Sequence, residues 1–294
     1  MYKLLVLDMD GTLLNSHKWV TASVQTAIRA LVASGRCVTI ASGRFPASAW
    51  LHSKYLMMNF PLVALNGAAI VDPVLGSSLD TSELPMILAV RIAELVRMYK
   101  SYVHFYGYHT LFVESLNEMN RTWPLANVVR HPWLEPNDKN YRMQKYAIQV
   151  EAVGDLVRFS GSRKRSQILK ASVIDQDLDK LEILYALLKG WPDVFVYRTG
   201  RHRFDINFHG VSKQSALEKL CNDWGIRSKE VVAVGDSEND MEMIKWAGLG
   251  VAMGNGDAAI QKAADVVTET NDADGVAEVI HKFFLDQDIR TVSI

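Results

Sequence analysis

Short apolar runs alternate with helix-patterned segments at both ends of this chain, and that alternation constrains the fold more than any single residue does. From the N-terminus, "KLLVLDMD" predicts a buried strand, "TASVQTAIRALVASG" a helix closed by Gly35, and "CVTIAS" a second strand. "FPASAWLHSKYLMM" predicts a helix opening near Pro46, and "PLVALNGA" a third strand stopping at Asn66-Gly67. Toward the other end, "KQSALEKLCNDWG", "EVVAVGD", "ENDMEMIKWAG", "LGVAMGNG", "DAAIQKAA", "DVVTET" and "DGVAEVIHKFFL" keep the same rhythm. Strands and helices alternating at this spacing imply an α/β fold, a doubly wound parallel sheet with helices on both faces.

Between residues 84 and 200 the texture changes. "KSYVHFYGYHTLFVES" predicts two strands around a Gly107 turn, and "KYAIQVEA", "SQILKASVI" and "DVFVYRTG" predict further strands, interleaved with helices such as "DQDLDKLEILYALLKG". Strands this close imply an antiparallel sheet in an α+β unit. The expected organisation is therefore a core made of residues 1–83 and 201–294, with 84–200 inserted as a second, cap-like domain. A chain of 294 residues has room for both.

Composition narrows the partners. With a formal net charge of −1, nothing points to a nucleic-acid or membrane partner reached by bulk electrostatics. The basic run "SGSRKRSQ" reads as a solvated start to a strand. The two cysteines, Cys37 and Cys221, form no CxxC pair, which fits a reducing compartment, and Cys37 reads as a small core residue. No apolar stretch reaches the length of a membrane span, and "LLVL" is cut by Asp8 before it could serve as a signal core. A cytoplasmic protein is expected. The histidines show no HExxH spacing, and the glycines of "GLGVAMGNG" lack the context of a dinucleotide fingerprint.

Chemistry concentrates at strand ends, where open parallel sheets bind ligands. Asp8 and Asp10, one residue apart, project to the same side of an extended chain. "VVAVGDSEND" delivers Asp236 and Asp240 in the same way, with Asn239 opening the next helix. Carboxylates converging at one sheet edge repel each other unless a cation sits among them, and oxygen ligands of this kind suit Mg²⁺. "IASGR" ends its strand on Ser42, Gly43 and Arg44, a hydroxyl, an unhindered amide and a cation suited to an anion. Lys213 opens the helix of "GVSKQSALEKL". Asn66 is either a polar group facing substrate or a left-handed turn residue. Asp240 and Asn239 have a plainer reading as helix-terminal residues, and Lys213 as a solvated lysine. The aromatic "YVHFYGYH", Trp123 and Trp133 read as sheet core or as pocket wall.

Taken together and in order, "DMDGTLL", "ASGR", the lysine of "GVSKQSAL" and "GDSENDMEMI" resemble the four motifs of the haloacid dehalogenase superfamily. The long insertion is similar to that of the C2-capped, type IIB branch, the Cof-type phosphatases. The resemblance covers the whole chain, including "GVAMGNG", "AADVVT" and "DGVAEVI". It implies a Rossmann-like core with a C2-type cap and hydrolysis of a small phosphorylated metabolite, such as a sugar phosphate, a nucleotide or pyridoxal phosphate. It implies Asp8 as nucleophile forming an aspartyl-phosphate, and Asp10 as general acid and then base. Mg²⁺ would be held by Asp8, the Asp10 carbonyl and Asp236, with Asp240 in its outer shell; Ser42, Lys213 and Asn239 would contact phosphate oxygens. Gln214 after the motif lysine and "GNG" for Gly-Asn-Ala depart from the pattern without removing a catalytic group.

The same aspartyl-phosphate could pass to a sugar hydroxyl, as in phosphomannomutases, and a fold of this kind could also serve a non-catalytic ligand-binding protein. The expected partner is a small phosphate ester, and the expected state a monomer or small homo-oligomer.

Overall fold

The computed structural model describes residues 1–134, 139–164 and 166–286. Arg165, inside the basic run "SGSRKRSQ", lies outside the described residues. The N-terminal part of the core contains β1 (Leu4–Leu7), α1 (Ala22–Ala33), β2 (Cys37–Ile40), α2 (Pro46–Leu56), β3 (Leu62–Ala64), β4 (Ala69–Val71) and β5 (Ser78–Thr81). The inserted unit follows as α3 (Met86–Met98), β6 (Tyr102–Tyr106), β7 (Thr110–Val113), α4 (Glu118–Thr122), α5 (Lys139–Lys145), β8 (Gln149–Ala152) and α6 (Leu156–Ser160). It continues through β9 (Lys170–Ile174), α7 (Leu178–Lys189), β10 (Val194–Gly200) and β11 (Arg203–Phe208). The core resumes with α8 (Lys213–Asp223), β12 (Val231–Gly235), α9 (Met241–Trp246), β13 (Leu249–Ala252), α10 (Ala258–Ala263), β14 (Val266–Val267) and α11 (Gly275–Ile280).

The core sheet runs β14-β13-β12-β1-β2, every pair parallel. β1 is apolar throughout because both of its faces are covered. Leu5 and Leu7 pack with Val24, Ile28 and Leu31 of α1 and with Val276 and Val279 of α11. Leu4 and Val6 pack on the opposite face with Leu217 and Leu220 of α8 and Met243 of α9. The period of two in the strand thus feeds two cores at once. Each fully buried side chain of that kind contributes about 1.5–3 kcal/mol. Chain order reverses at β1, whose successors lie on one side in β2 and on the other in β12 and β13, so its carboxyl end is the switch point where such sheets bind ligands.

Three details differ from the sequence expectations. β3 joins β4 and β5 in a small antiparallel sheet and is linked to the parallel sheet by an isolated bridge between Ala41 and Val63, because the chain turns back at Asn66-Gly67. The cap sheet, β10-β11-β9-β6-β7-β8, is mixed rather than wholly antiparallel, since β7 and β8 run parallel with α4 and α5 between them. The second domain boundary also falls later than residue 200. "RFDINF" pairs antiparallel with β10 across a tight turn and with β9 on its other edge, so the cap sheet extends to Phe208.

No helix among the described residues is long and apolar enough to cross a membrane.

Candidate active site

Asp8 is the first residue past β1, and a compact turn holds it there. Its amide donates to the Val234 carbonyl at 3.0 Å, while its carbonyl accepts from Leu13 at 3.2 Å. Gly11 turns the chain at φ +81°, and a Cβ there would fall 2.4 Å from Oδ2 of Asp236. Only glycine lets the two strand ends approach so closely. Thr12 Oγ1 donates to Oδ1 of Asp236 at 2.9 Å, and Asn255 Nδ2 donates to the Gly11 carbonyl at 2.8 Å. The turn after β1 is therefore tied to the loops after β12 and β13.

Lys213 sits between two of the acids. Its Nζ donates to Asp8 Oδ1 at 2.5 Å and to Asp240 Oδ1 at 2.6 Å, with the ammonium fully buried. α8 presents it at its first position, where a Ser212–Ser215 capping box satisfies the helix end. Burial would lower the lysine pKa, but Asp240 and Asp8 override this and raise it, so the group stays charged. Asp240 uses its other oxygen to accept from the amides of Asp236 and Ser237, both at 3.1 Å. One of its oxygens thus shapes the loop while the other holds Lys213.

Asp8, Asp236 and Asp240 bring carboxylate oxygens within 4.8 Å of one another, the sole set of its kind among the described residues. Burial, reinforced by neighbouring carboxylates, pushes Asp8 up to about 7 and Asp236 up to about 8 despite the opposing influence of Lys213. Three carboxylates against one ammonium leave uncompensated negative charge. All-oxygen donors with that surplus fit a hard divalent cation, with Asp8 and Asp236 best placed as its ligands.

The loop Ser42-Gly43-Arg44 closes the other side. Ser42 is buried, its Oγ accepting from the Arg44 amide at 3.2 Å. Arg44 forks onto Asp10, Nε to Oδ2 at 2.6 Å and Nη2 to Oδ1 at 2.8 Å, and Lys18 adds a third contact at 2.9 Å. Burial alone would raise the Asp10 pKa, but Arg44 and then Lys18 outweigh it and hold the carboxyl well below the usual carboxylate range.

Among the residues expected at the site, Asp8, Asp10, Ser42, Gly43, Arg44, Asp236 and Asn239 line one cavity of about 1040 Å³ between core and cap. Lys213 and Asp240 stand directly behind Asp8 rather than in that wall. Asn66 also lies behind it. It is fully buried in the left-handed region at φ 58°, donating to Asp205 at 3.1 Å and accepting from Asn239 Nδ2 at 3.1 Å. The left-handed turn reading of Asn66 is the one the structure shows; its side chain braces Asp205 and Asn239 and does not line the cavity. Gly43 is needed because a Cβ there would meet Asn66 Oδ1 at 2.7 Å. Gln214 hydrogen-bonds Glu218 at 2.9 Å along the helix surface, away from the acids. Tyr106 and Trp123 line the cavity, whereas Trp133 is exposed and does not.

The sequence reading missed the contacts that seat the cap. Lys170 donates to the Gly43 carbonyl at 2.7 Å and to Asp205 Oδ2 at 2.6 Å, all within a buried network that includes Ser172 and Asn66. On another edge, Glu238, in the loop between Asp236 and Asp240, accepts from the Tyr185 hydroxyl at 2.9 Å, Lys189 Nζ at 2.9 Å and the Arg198 amide at 2.9 Å. A lone charge inside an apolar strand, as in "QILKASVI" and "RFDINF", was the available signal for Lys170 and Asp205.

Known proteins resemble this chain along nearly its whole length. Over 96% of its length, the chain is 26% identical to the 5-amino-6-(5-phospho-D-ribitylamino)uracil phosphatase YitU of Bacillus subtilis, covering 97% of that protein. It is 25% identical to the pyridoxal phosphate phosphatase YbhA of Escherichia coli, with 96% and 99% of the two chains covered. A solved haloacid dehalogenase-like hydrolase from B. subtilis superposes with a TM-score of 0.82 at 25% identity, covering 96% of this chain and all of that one. The family model for haloacid dehalogenase-like hydrolases matches residues 5–280, and with the strand-end acids, buried lysine and inserted cap in place, the chain belongs to that family.

Proposed function

We propose that the chain is a Mg²⁺-dependent phosphatase that hydrolyses small phosphorylated metabolites through a phosphoryl group carried on Asp8. The carrying observation is the placement of Asp8, buried beside Lys213 and within reach of Asp236, at the wall of a cavity that also presents Ser42 and Arg44. The relatives named for phosphatase activity on a ribitylaminouracil phosphate and on pyridoxal phosphate support a phosphomonoester of that general size. Sugar phosphates and nucleotides belong to the same class.

The chain's own residues divide the work. Lys213 favours the ionised form of Asp8 against its burial and aims it, leaving its second carboxylate oxygen to attack phosphorus in line as the ester oxygen leaves. Ser42, Arg44 and Asn239 supply donors to the non-bridging oxygens of the phosphoryl group being transferred. An arriving phosphate competes with Asp10 for the Arg44 fork. Once Arg44 turns, the Asp10 pKa rises, and the carboxyl can carry a proton to the leaving oxygen and then take one from the hydrolytic water. Lys170 and Glu238 hold the cap over the cavity while this happens. A bound divalent ion supplies charge neutralisation between the phosphate and the anionic acids.

The test is phosphate release from a panel of sugar phosphates, nucleotides and pyridoxal phosphate, with and without Mg²⁺, alongside Asp8→Asn. Metal-dependent release, lost in Asp8→Asn, together with a phosphoryl adduct on the Asp8 peptide after acid quench, is expected. Undiminished turnover by Asp8→Asn would sink the covalent route, and no release from any panel member would sink the phosphatase reading.

A further inference from the structure

The cations of the cavity wall are not all spent. Arg44 and Lys18 are paired with Asp10, Lys170 with Asp205, and Arg198 with Glu182. Arg130, Arg201 and Arg203 line the same cavity from the cap side, and none of them forms an ion pair among the described residues. The acids left without a cationic partner among the described residues, chiefly Asp236, belong to the core floor, where a divalent ion would take up their charge. The cap wall therefore carries surplus positive charge facing the substrate space, a repulsive arrangement until an anion arrives.

These arginines are set in place by the fold. Arg203 pairs with Gly200 across the β10–β11 turn, its Nε donates to the Thr199 carbonyl at 2.9 Å, and its guanidinium lies 5.6 Å from the Trp123 ring. The terminal nitrogens of Arg203 donate no hydrogen bond among the described residues, although its charge helps Lys170 hold the buried Asp205 ionised. Arg201 stands exposed at the tip of the same turn, and Arg130, half-buried, follows the segment that presents Trp123. A planar guanidinium is weakly hydrated and matches a carboxylate or phosphate with two parallel hydrogen bonds. The transferred phosphate already has Ser42, Arg44 and Asn239, and the cavity volume of about 1040 Å³ leaves space well beyond one phosphate group.

We propose that Arg130, Arg201 and Arg203 form a second anion subsite in the cap, and that the preferred substrate is a phosphomonoester whose leaving group carries another phosphate or a carboxylate. The proposal rests on the phosphatase reading for which group is transferred, and it names what the leaving group bears.

Matched ligands test it. Affinities for fructose 1,6-bisphosphate against fructose 6-phosphate, and for 6-phosphogluconate against glucose 6-phosphate, are measured by calorimetry on Asp8→Asn with Mg²⁺, and on the wild-type chain held metal-free. The doubly anionic member is expected to bind at least about tenfold tighter, the scale of one or two charge-assisted hydrogen bonds. Arg203→Gln and Arg130→Gln are expected to shrink that ratio by about the same factor, whereas Arg121→Gln, exposed on α4 outside the cavity wall, keeps it. A preference within only one pair assigns the subsite to phosphate or to carboxylate. Equal affinities within both pairs, ratios untouched by the arginine variants, or no binding of any of the four would overturn the proposal. Because binding is read without turnover, a preserved preference with no phosphate released by the wild-type chain would refute the phosphatase reading alone.

Discussion

Arg44 clasps Asp10 with both ends of its guanidinium fork, at 2.6 and 2.8 Å, so the cation expected to greet an incoming anion already holds one from its own chain. Arg44→Gln removes both the clasp and a phosphate donor. The expected result is a fall in kcat/KM of about 10²–10³-fold, the range for losing one preorganised donor. With the clasp gone, the Asp10 pKa climbs toward its ordinary value. Under the general-acid assignment, any limb of the pH–rate profile belonging to Asp10 in the free enzyme moves to higher pH. An unshifted profile of kcat/KM against pH would remove Arg44 as the group that sets the Asp10 proton.

The acid cluster makes a prediction about stability without metal. Asp8 and Asp236 are raised on folding, so the folded chain binds protons that the unfolded chain has shed, and stability falls as pH rises. The window opens near the unfolded carboxylate value of about 4 and closes above their folded values of about 7 and about 8. Metal-free protein should therefore lose Tm between pH 5.5 and 8.5 from this source. A saturating divalent cation, which needs both groups ionised, should raise Tm more at pH 8 than at pH 5.5. Thermal unfolding with and without Mg²⁺ at both pH values decides it, and a larger metal effect at the acidic end would contradict the assignment of these ligands.

Much of this site was legible before any coordinates. Two apolar strands that each end on aspartates point to a sheet edge loaded with charge, a reading that competes with ordinary helix-terminal acids until the motifs are taken in order. Asp8, Asp236, Asp240 and Lys213 follow from that pattern and the helix start at Ser212. The Asp10–Arg44 clasp was not legible, since reading Arg44 as an anion holder left open which anion it holds. Lys170 and Asp205 were hidden for a different reason. Lys170 meets Gly43 across 127 residues of sequence, a pairing set by where the cap lands rather than by any local periodicity. The extension of the cap sheet to Phe208 has the same origin, because "RFDINF" belongs to it through pairings with β10 and β9 that no local pattern specifies.

Gly11 offers a test that spares the charged groups. Gly11→Ala puts a methyl where Asp236 now sits, 2.4 Å from its Oδ2, on a backbone at φ +81° that alanine resists. Asp236 must move, and the expected cost is at least about tenfold in divalent-cation affinity with the protein still folded. Calorimetric titration of Mg²⁺ into the metal-free variant reads this directly. Wild-type affinity would show that Asp236 is not a ligand.

Lys170→Met should be the costliest of these changes for folding. It strands Asp205 in a buried network without its cation, a loss of about 3–5 kcal/mol by comparison with other broken buried pairs. Adding Asp205→Asn removes the stranded charge and should recover part of the loss, since an amide can still accept from Ser172. Urea unfolding of the two single variants and the double variant gives the coupling. Additive losses would mean that Lys170 and Asp205 do not act as a pair.

Glu238 lies two residues from Asp236 and two from Asp240, and it accepts hydrogen bonds from three groups of the cap. One of the two grips on the cap is thus fastened to the same short loop that carries the acids, the other being Lys170 on the Gly43 carbonyl. Lifting the cap tugs on that loop, so admission of substrate and the orderliness of the acids behave as a single degree of freedom: a door whose latch is part of the machinery it guards.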